Sequence, residues 1–143
     1  MTLAELDNLA ARGLLKREPP DRDEFKGLVR SGLTRLKDAS NTSLAFESRF
    51  DLAYNAAHAL ALAALRWHGY RADSRYAVFQ ALPHTLRVEA SVWRVLTTAH
   101  DRRNDAEYEG EFDEDPQLLR DLLAATGKVS AAVAALGPVA AEK

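Results

Sequence analysis

The residues best suited to chemistry lie between Arg94 and Glu111, where basic side chains are followed by the first carboxylates of an acidic run. A guanidinium group can hold a phosphate through paired hydrogen bonds, and a histidine can accept or donate a proton near neutral pH. Together they could bind an anionic group and transfer a proton. The candidate side chains are Arg94, His100, Arg102, Arg103, Asn104 and Tyr108.

The carboxylates in this stretch have two interpretations. Acidic groups at the carboxyl end of a helix oppose the helix macrodipole, which indicates that they serve a site rather than local stability. A solvated helix end followed by an acidic loop would have the same sequence. The carboxylates are Asp105, Glu107, Glu109, Glu111, Asp113, Glu114 and Asp115.

Several classes of chemistry have no support in this sequence. It contains no cysteine, which excludes disulfides, cysteine-based zinc sites and thiol nucleophiles. No serine lies in a glycine-rich elbow, and neither a P-loop nor a GxGxxG motif is present. The histidines at positions 58, 68, 84 and 100 lack a compact metal-ligand spacing, so we predict no metal and no cofactor. We interpret His58 as a packed or partly exposed structural residue and His68 as a favourable cation at a helix end.

Composition places the chain among soluble globular proteins. Of its 143 residues, 47% are hydrophobic and 28% are charged, and the formal net charge is -2. Because the chain is not a polycation, any RNA binding requires a local basic patch. We predict one domain over residues 1–143, with its core at about residues 22–136. No secretory signal is visible and charged residues interrupt the longest apolar segment, so we expect a cytoplasmic protein without a membrane span.

The longest apolar segment runs from Leu44 to His68 and contains neither proline nor glycine. Its apolar residues recur at intervals of three and four but also cover most of the helix circumference, which indicates a central helix covered on several sides. Alanines between Ala53 and Ala64 should let neighbouring helices approach closely. The main stripe consists of Phe46, Phe50, Tyr54, Ala57, Ala61, Leu65 and His68.

Capping residues, glycines and prolines divide the rest of the chain into shorter helices. We predict them at about residues 2–16, 21–37, 74–82, 86–108 and 116–136, with Gly127 interrupting the last one. No segment shows the alternation of a β-strand. The expected fold class is therefore all-α, an up-and-down helical bundle of four main helices plus shorter helices. Thr2, Asp21 or Asp23, Thr42 or Ser43, Thr85 and Asp115 are the predicted N-caps, and Gly69 and Gly110 the predicted helix ends.

Two parts of the sequence resemble HEPN domains (higher eukaryotes and prokaryotes nucleotide-binding). One is Arg103-Asn104-Asp-Ala-Glu-Tyr108, near the end of a late helix. The other is Arg49-Phe-Asp-Leu-Ala-Tyr-Asn-Ala-Ala57, followed by Ala-Leu-Arg66 and His-Gly69-Tyr-Arg71. The resemblance covers roughly Leu33 to Leu136. It implies a HEPN-like bundle, a homodimer, and metal-independent RNA cleavage at a site shared between the two subunits.

Active HEPN ribonucleases carry an arginine, usually a polar residue beside it, and a histidine four to six residues further on. Arg103-Asn104 matches the arginine and polar pair, but Tyr108 stands where the histidine would be. Arg94 and His100 have an allowed spacing, but Val95 replaces the polar residue. A tyrosine, with an ordinary pKa near 10, accepts a proton poorly at neutral pH.

The leading hypothesis is therefore a binding or partner module with a degenerate ribonuclease motif, whose site is lined by Arg102, Arg103, Asn104 and Tyr108. The alternative is an active HEPN endoribonuclease toxin that uses His100 with Arg102 or Arg103. A purely structural helical bundle is the third interpretation.

The resemblance also implies partners. In some toxin–antitoxin pairs of this family, a partner nucleotidyltransferase modifies a tyrosine near the motif, and Tyr108 loosely resembles that tyrosine. The expected ligand is RNA or a nucleotide. The alanine-rich central helix and the resemblance together predict a homodimer.

Overall fold

The computed structural model describes residues 4–110 and 114–139, apart from the side chains of residues 107–109, and this part of the chain is mainly helical. This mainly helical structure is consistent with the expected all-α class. The elements in chain order are α1 (Ala4–Ala11), β1 (Leu15–Arg17), α2 (Arg22–Ala39), α3 (Phe46–Trp67), β2 (Tyr70–Ala72), α4 (Arg75–Gln80), α5 (Leu82–Thr85), α6 (Ala90–Glu109) and α7 (Pro116–Ala134).

A short antiparallel ribbon joins β1 to β2, so the expectation that the chain contains no strand was wrong. Leu15 pairs with Ala72 and Arg17 pairs with Tyr70. The first helix ends at Ala11 rather than near Lys16, because Gly13 adopts a left-handed conformation with φ of 80°. Strands of three residues are too short to show alternation, and their pairing connects segments far apart in sequence.

Two of the predicted N-caps, Asp21 and Asp115, are confirmed, and Ser74, at which a helix was predicted to start, is also an N-cap. The side chains of Asp21, Ser74 and Asp115 each accept a hydrogen bond from a backbone N–H in the first turn of α2, α4 and α7. Gly69 and Gly110 follow α3 and α6 in the left-handed conformation, as predicted.

Other predicted boundaries were wrong. α3 begins at Phe46, beyond Thr42 and Ser43, and its N-cap Ala45 provides no side-chain hydrogen bond. Instead of capping α3, Ser43 donates its backbone N–H to the Asn41 side chain within the preceding loop. Thr85 ends α5 rather than starting α6, which begins only at Ala90. α7 continues through Gly127 without interruption. Thr2 lies outside the described residues.

α3 is the central helix, as its apolar circumference predicted. It packs most extensively against α2 and α7, and it also contacts α4, α5 and α6. Phe50, Tyr54 and Leu65 are almost completely buried, together with the alanines between positions 53 and 64. These small residues allow close packing within the chain, so the alanine-rich surface of α3 is already covered by neighbouring helices of the same chain. No helix in the described part of the chain is both long and apolar enough to cross a membrane.

The packing of α2 on α3 depends on Gly32. A Cβ atom at this position would lie 2.6 Å from Cγ of Leu60 and 3.3 Å from the carbonyl oxygen of Ala56. Leu60 is completely buried and therefore has little room to move. By contrast, a Cβ at Gly127 would meet nothing within 4 Å.

This difference predicts opposite effects for two matched substitutions. Gly32→Ala should lower the free energy of unfolding by about 1 kcal/mol, because the cost of overpacking exceeds the gain in helix propensity. Gly127→Ala should raise it by about 0.5–1 kcal/mol, since only the gain in propensity remains. Urea unfolding followed by circular dichroism measures both. A Gly32→Ala variant as stable as Gly127→Ala would show that α2 and α3 pack less tightly than described.

Candidate functional site

Side chains from α3, α4 and α6 meet in one group, which we call the Tyr54 cluster. It joins residues separated by up to about fifty positions in sequence, including three of the predicted site residues. Tyr54 lies at the centre of this group and is 1% exposed. The cluster consists of Tyr54, His58, Arg75, Tyr76, Phe79, His100, Arg103 and Asn104.

Both ring nitrogens of His100 have hydrogen-bond partners. Nδ1 lies 2.8 Å from the hydroxyl of Tyr54, and Nε2 lies 3.1 Å from Nδ2 of Asn104. If the amide of Asn104 donates to Nε2, then Nδ1 carries the proton and donates to the tyrosine oxygen. This arrangement fixes the orientation of the imidazole. It also leaves neither nitrogen available to a ligand unless Asn104 moves.

Two guanidinium groups lie near the Tyr54 ring. Cζ of Arg103 is 5.0 Å from the ring centroid and Cζ of Arg75 is 5.5 Å from it. Both distances are within the range of cation–π attraction. Nε of Arg103 also donates to Asp51 over 3.2 Å, whereas Nη1 of Arg75 donates to the neutral amide of Asn55 over 2.9 Å.

His58 lies beside these cations and packs edge-on against Phe79, with the ring centroids 6.0 Å apart. Burial lowers the pKa of His58 to about 4, and the positive charges of Arg75 and Arg103 contribute to the same shift. His58 is therefore neutral at pH 7, in agreement with its interpretation as a packed or partly exposed structural residue.

His68 differs from its predicted role. It is the C-cap of α3, and its Nε2 lies 2.9 Å from the carbonyl oxygen of Thr85. Burial lowers the pKa of His68, although the hydrogen bond with Thr85 opposes this effect. The neutral imidazole is thus favoured over the cation that we expected at this helix end.

The structure does not bring every predicted site residue into the cluster. Arg94 is exposed and lies six residues before His100, which places the two side chains about 120° apart around α6. Arg102 points toward the start of α7, where its Nη1 lies 3.8 Å from Asp115. The side chain of Tyr108 lies outside the described residues.

The acidic run after Arg103 is described only in part. Asp105 and Glu114 are exposed, and Asp115 caps α7. These three carboxylates are therefore either exposed to solvent or used to cap a helix, as the interpretation of a solvated helix end expects. The side chains of Glu107 and Glu109, and residues 111–113, lie outside the described residues.

Arg75 and Tyr76 were not among the residues predicted for the site, and Tyr54 was assigned only to the core. Tyr54 follows the apolar spacing of α3, so its hydroxyl gave no separate signal. Arg75 and Tyr76 come directly after the helix-capping Ser74. That cap could have indicated that the two side chains start a helix, but not what they would contact.

Comparison of the chain with models of protein families, with curated proteins and with solved structures finds no match. Among the described residues, no group of three or more histidine, aspartate or glutamate side chains could hold a metal ion. The candidate site is therefore defined by its own geometry.

Proposed function

We propose that this chain is a HEPN-like domain that binds RNA through the Tyr54 cluster and acts as a binding or partner module rather than a nuclease. The convergence of Arg75 and Arg103 on the Tyr54 ring, beside His100, is the observation that carries this proposal. Guanidinium groups bind phosphate oxygens strongly, and aromatic rings nearby suit the bases of a nucleic acid.

Charge also supports a phosphate ligand. Arg75 is half-buried and donates to a neutral amide, so its positive charge is available to an incoming anion. Arg103 is partly balanced by Asp51. That carboxylate is exposed, which weakens the pair through solvent screening. The net charge of the chain is -2, so the cluster would act as a local basic site on an otherwise slightly acidic molecule.

The hydrogen bonds of His100 favour binding over cleavage. Catalysis of phosphodiester cleavage needs a nitrogen that can reach the attacking or leaving oxygen. Here Tyr54 and Asn104 occupy both nitrogens. The order of residues also differs from the HEPN pattern, because His100 precedes Arg103 instead of following it.

Active RNA cleavage is the second candidate, and the bond from Tyr54 to His100 is the observation in its favour. A catalytic base is usually oriented by a third group, and Tyr54 could fill that role for His100. Movement of Asn104 would then free Nε2 for the 2′-hydroxyl of RNA.

The proposed partners come from the family resemblance. We propose a cytoplasmic homodimer in a toxin–antitoxin or defence system, with a nucleotidyltransferase as partner. Because α3 buries its alanine-rich surface within the chain, a dimer would have to use another surface. Sedimentation equilibrium at micromolar concentration tests this proposal, and a monomer alone would contradict it.

RNA binding and cleavage can be measured on the same samples. We expect fluorescein-labelled single-stranded RNA, in buffer with EDTA, to bind and remain intact. Arg103→Gln should weaken binding about fivefold to tenfold, because a phosphate contact contributes roughly 1 kcal/mol in an accessible site. Fluorescence anisotropy gives the affinity, and denaturing gels show whether the strand is cut.

Arg102→Gln is the matched control, since it removes the same charge from the neighbouring residue, whose side chain lies toward α7. It should change the affinity much less than Arg103→Gln. Cleavage that disappears in His100→Ala or Arg103→Gln would establish the nuclease instead. Absence of binding by the wild-type chain would refute the proposal.

A further inference from the structure

We propose that Arg75 and Tyr76 form a nucleotide-binding pair, in which an unpaired RNA base stacks on the Tyr76 ring and its phosphate binds Arg75. This inference rests on the proposed function and narrows its ligand to single-stranded RNA. Neither residue belongs to the motif in which the sequence resembles HEPN domains.

Tyr76 is exposed beside an otherwise packed aromatic group. Tyr76 is 47% exposed, whereas Tyr54 and Phe79 are buried. The Tyr76 ring centroid lies 6.1 Å from that of His100, with 47° between the two planes. The other large hydrophobic residues that are exposed in the described part of the chain are all leucines. Tyr76 thus presents an accessible aromatic surface at the edge of the Tyr54 cluster, as stacking of a base requires.

Arg75 supplies the charge next to this ring. Its guanidinium lies over the Tyr54 ring and donates to Asn55, so the group is held in place without a carboxylate partner among the described residues. The base and phosphate of one nucleotide are separated only by a sugar. Arg75 contacts Tyr54 and Tyr76 contacts His100, so the adjacent residues place a guanidinium and a ring on the same cluster.

α4 holds the pair rigidly. The Ser74 side chain accepts a hydrogen bond from Ala77 N at 3.1 Å, and Ala77, Val78 and Phe79 are buried. Because the next turn is anchored in the core, Arg75 and Tyr76 keep their positions before a ligand arrives. Such preorganisation lowers the entropic cost of binding.

Stacking on a protein ring requires a base that has left its own stack. Bases in an A-form duplex are paired and stacked, so they are inaccessible to Tyr76. The pair therefore predicts preference for a single strand over the same sequence in a duplex. It also predicts that part of the affinity depends on the bases and not on phosphates alone.

The test compares an ordinary single-stranded RNA with an abasic strand that keeps the phosphates and lacks the bases. We expect Tyr76→Ala to weaken binding of the ordinary strand about tenfold, since stacking on one aromatic residue contributes roughly that much. Binding of the abasic strand should be unchanged. Tyr76→Phe should retain the wild-type affinity because it keeps the ring, and Arg75→Gln should weaken both strands.

Leu33→Ala provides a matched control, because Leu33 is 46% exposed on α2 and lies outside the cluster. Its affinity for both strands should equal that of the wild type, and circular dichroism should show all variants folded. If Tyr76→Ala binds the ordinary strand as the wild type does while Arg103→Gln does not, the stacking pair is refuted and the proposed function stands. If the wild type binds neither strand, both are refuted.

Discussion

Replacing Arg66 with methionine is expected to lower the free energy of unfolding by about 3 kcal/mol, because several hydrogen-bond acceptors packed around this side chain lose their shared donor. Arg66 is 1% exposed, and its Nε lies 2.6 Å from Oε1 of Glu24. Its two Nη groups donate to the backbone carbonyls of Glu18, Pro19 and Tyr70 at 2.7–3.2 Å. Methionine would fill the space but leave these acceptors without their donor.

The position of Arg66 in the fold explains the size of this effect. It lies in the last turn of α3, and its partners belong to α2, to the segment before α2, and to β2. One side chain therefore fixes how three parts of the chain meet at the end of the central helix. The loss should appear as a lower urea midpoint in circular dichroism.

Arg71→Met is the matched control. Arg71 binds the same carboxylates, Glu18 and Glu24, but its side chain is 34% exposed. A partly exposed ion pair contributes about 1 kcal/mol or less, so this variant should lose far less stability. Equal losses in the two variants would show that burial of Arg66 is not what makes the network stable.

The second large effect is a loss of stability between pH 6.5 and pH 4, caused by His58. Its pKa falls from 6.5 to about 4 in the folded chain because the imidazole is buried beside cations. In this pH window the unfolded chain binds a proton that the folded chain does not, so a falling pH favours unfolding. The difference of about 2.5 pH units corresponds to roughly 3 kcal/mol at most.

Urea unfolding of the wild type and of His58→Gln, measured at intervals from pH 7 to pH 4, tests this effect. The variant has no titrating group at this position, so its stability should fall less across the window. Arg75→Gln should keep most of the wild-type loss, because burial is the larger cause of the shift and the charge of Arg75 is a smaller one. A wild type and a His58→Gln variant with parallel pH profiles would contradict the assignment.

At lower pH the network around Arg66 should add its own acid sensitivity. Burial raises the pKa of Glu24, but hydrogen bonds from Arg66 and Arg71 outweigh it, and the net pKa is below the ordinary value of 4.5. A depressed carboxyl pKa stabilises the folded chain above pH 4.5, and this contribution is lost as the pH falls below that value. His58 and Glu24 therefore lower the stability in neighbouring pH ranges. Comparing the pH profiles of the wild type and His58→Gln separates the two contributions.

Local features of the sequence predicted much of the helical structure. The apolar circumference of the segment from Leu44 to His68 predicted a central helix covered on several sides, and the structure confirms it. Asp21, Ser74 and Asp115 were identifiable as caps or helix starts, since a cap depends on atoms within one helical turn. Arg103, Asn104 and His100 were selected from a single short stretch, and all three lie in the Tyr54 cluster.

Only the tertiary structure decided what surrounds these residues. Tyr54 contacts His100, which is 46 residues away in sequence, and the paired residues of β1 and β2 are more than fifty residues apart. Such contacts depend on how helices pack and cross, and no short-range spacing in the sequence encodes them. For the same reason the sequence could not separate Arg103, which lies on the Tyr54 ring, from Arg102, which lies toward α7. One residue along a helix rotates a side chain by about 100°, so only the arrangement of neighbouring helices decides which arginine reaches the cluster.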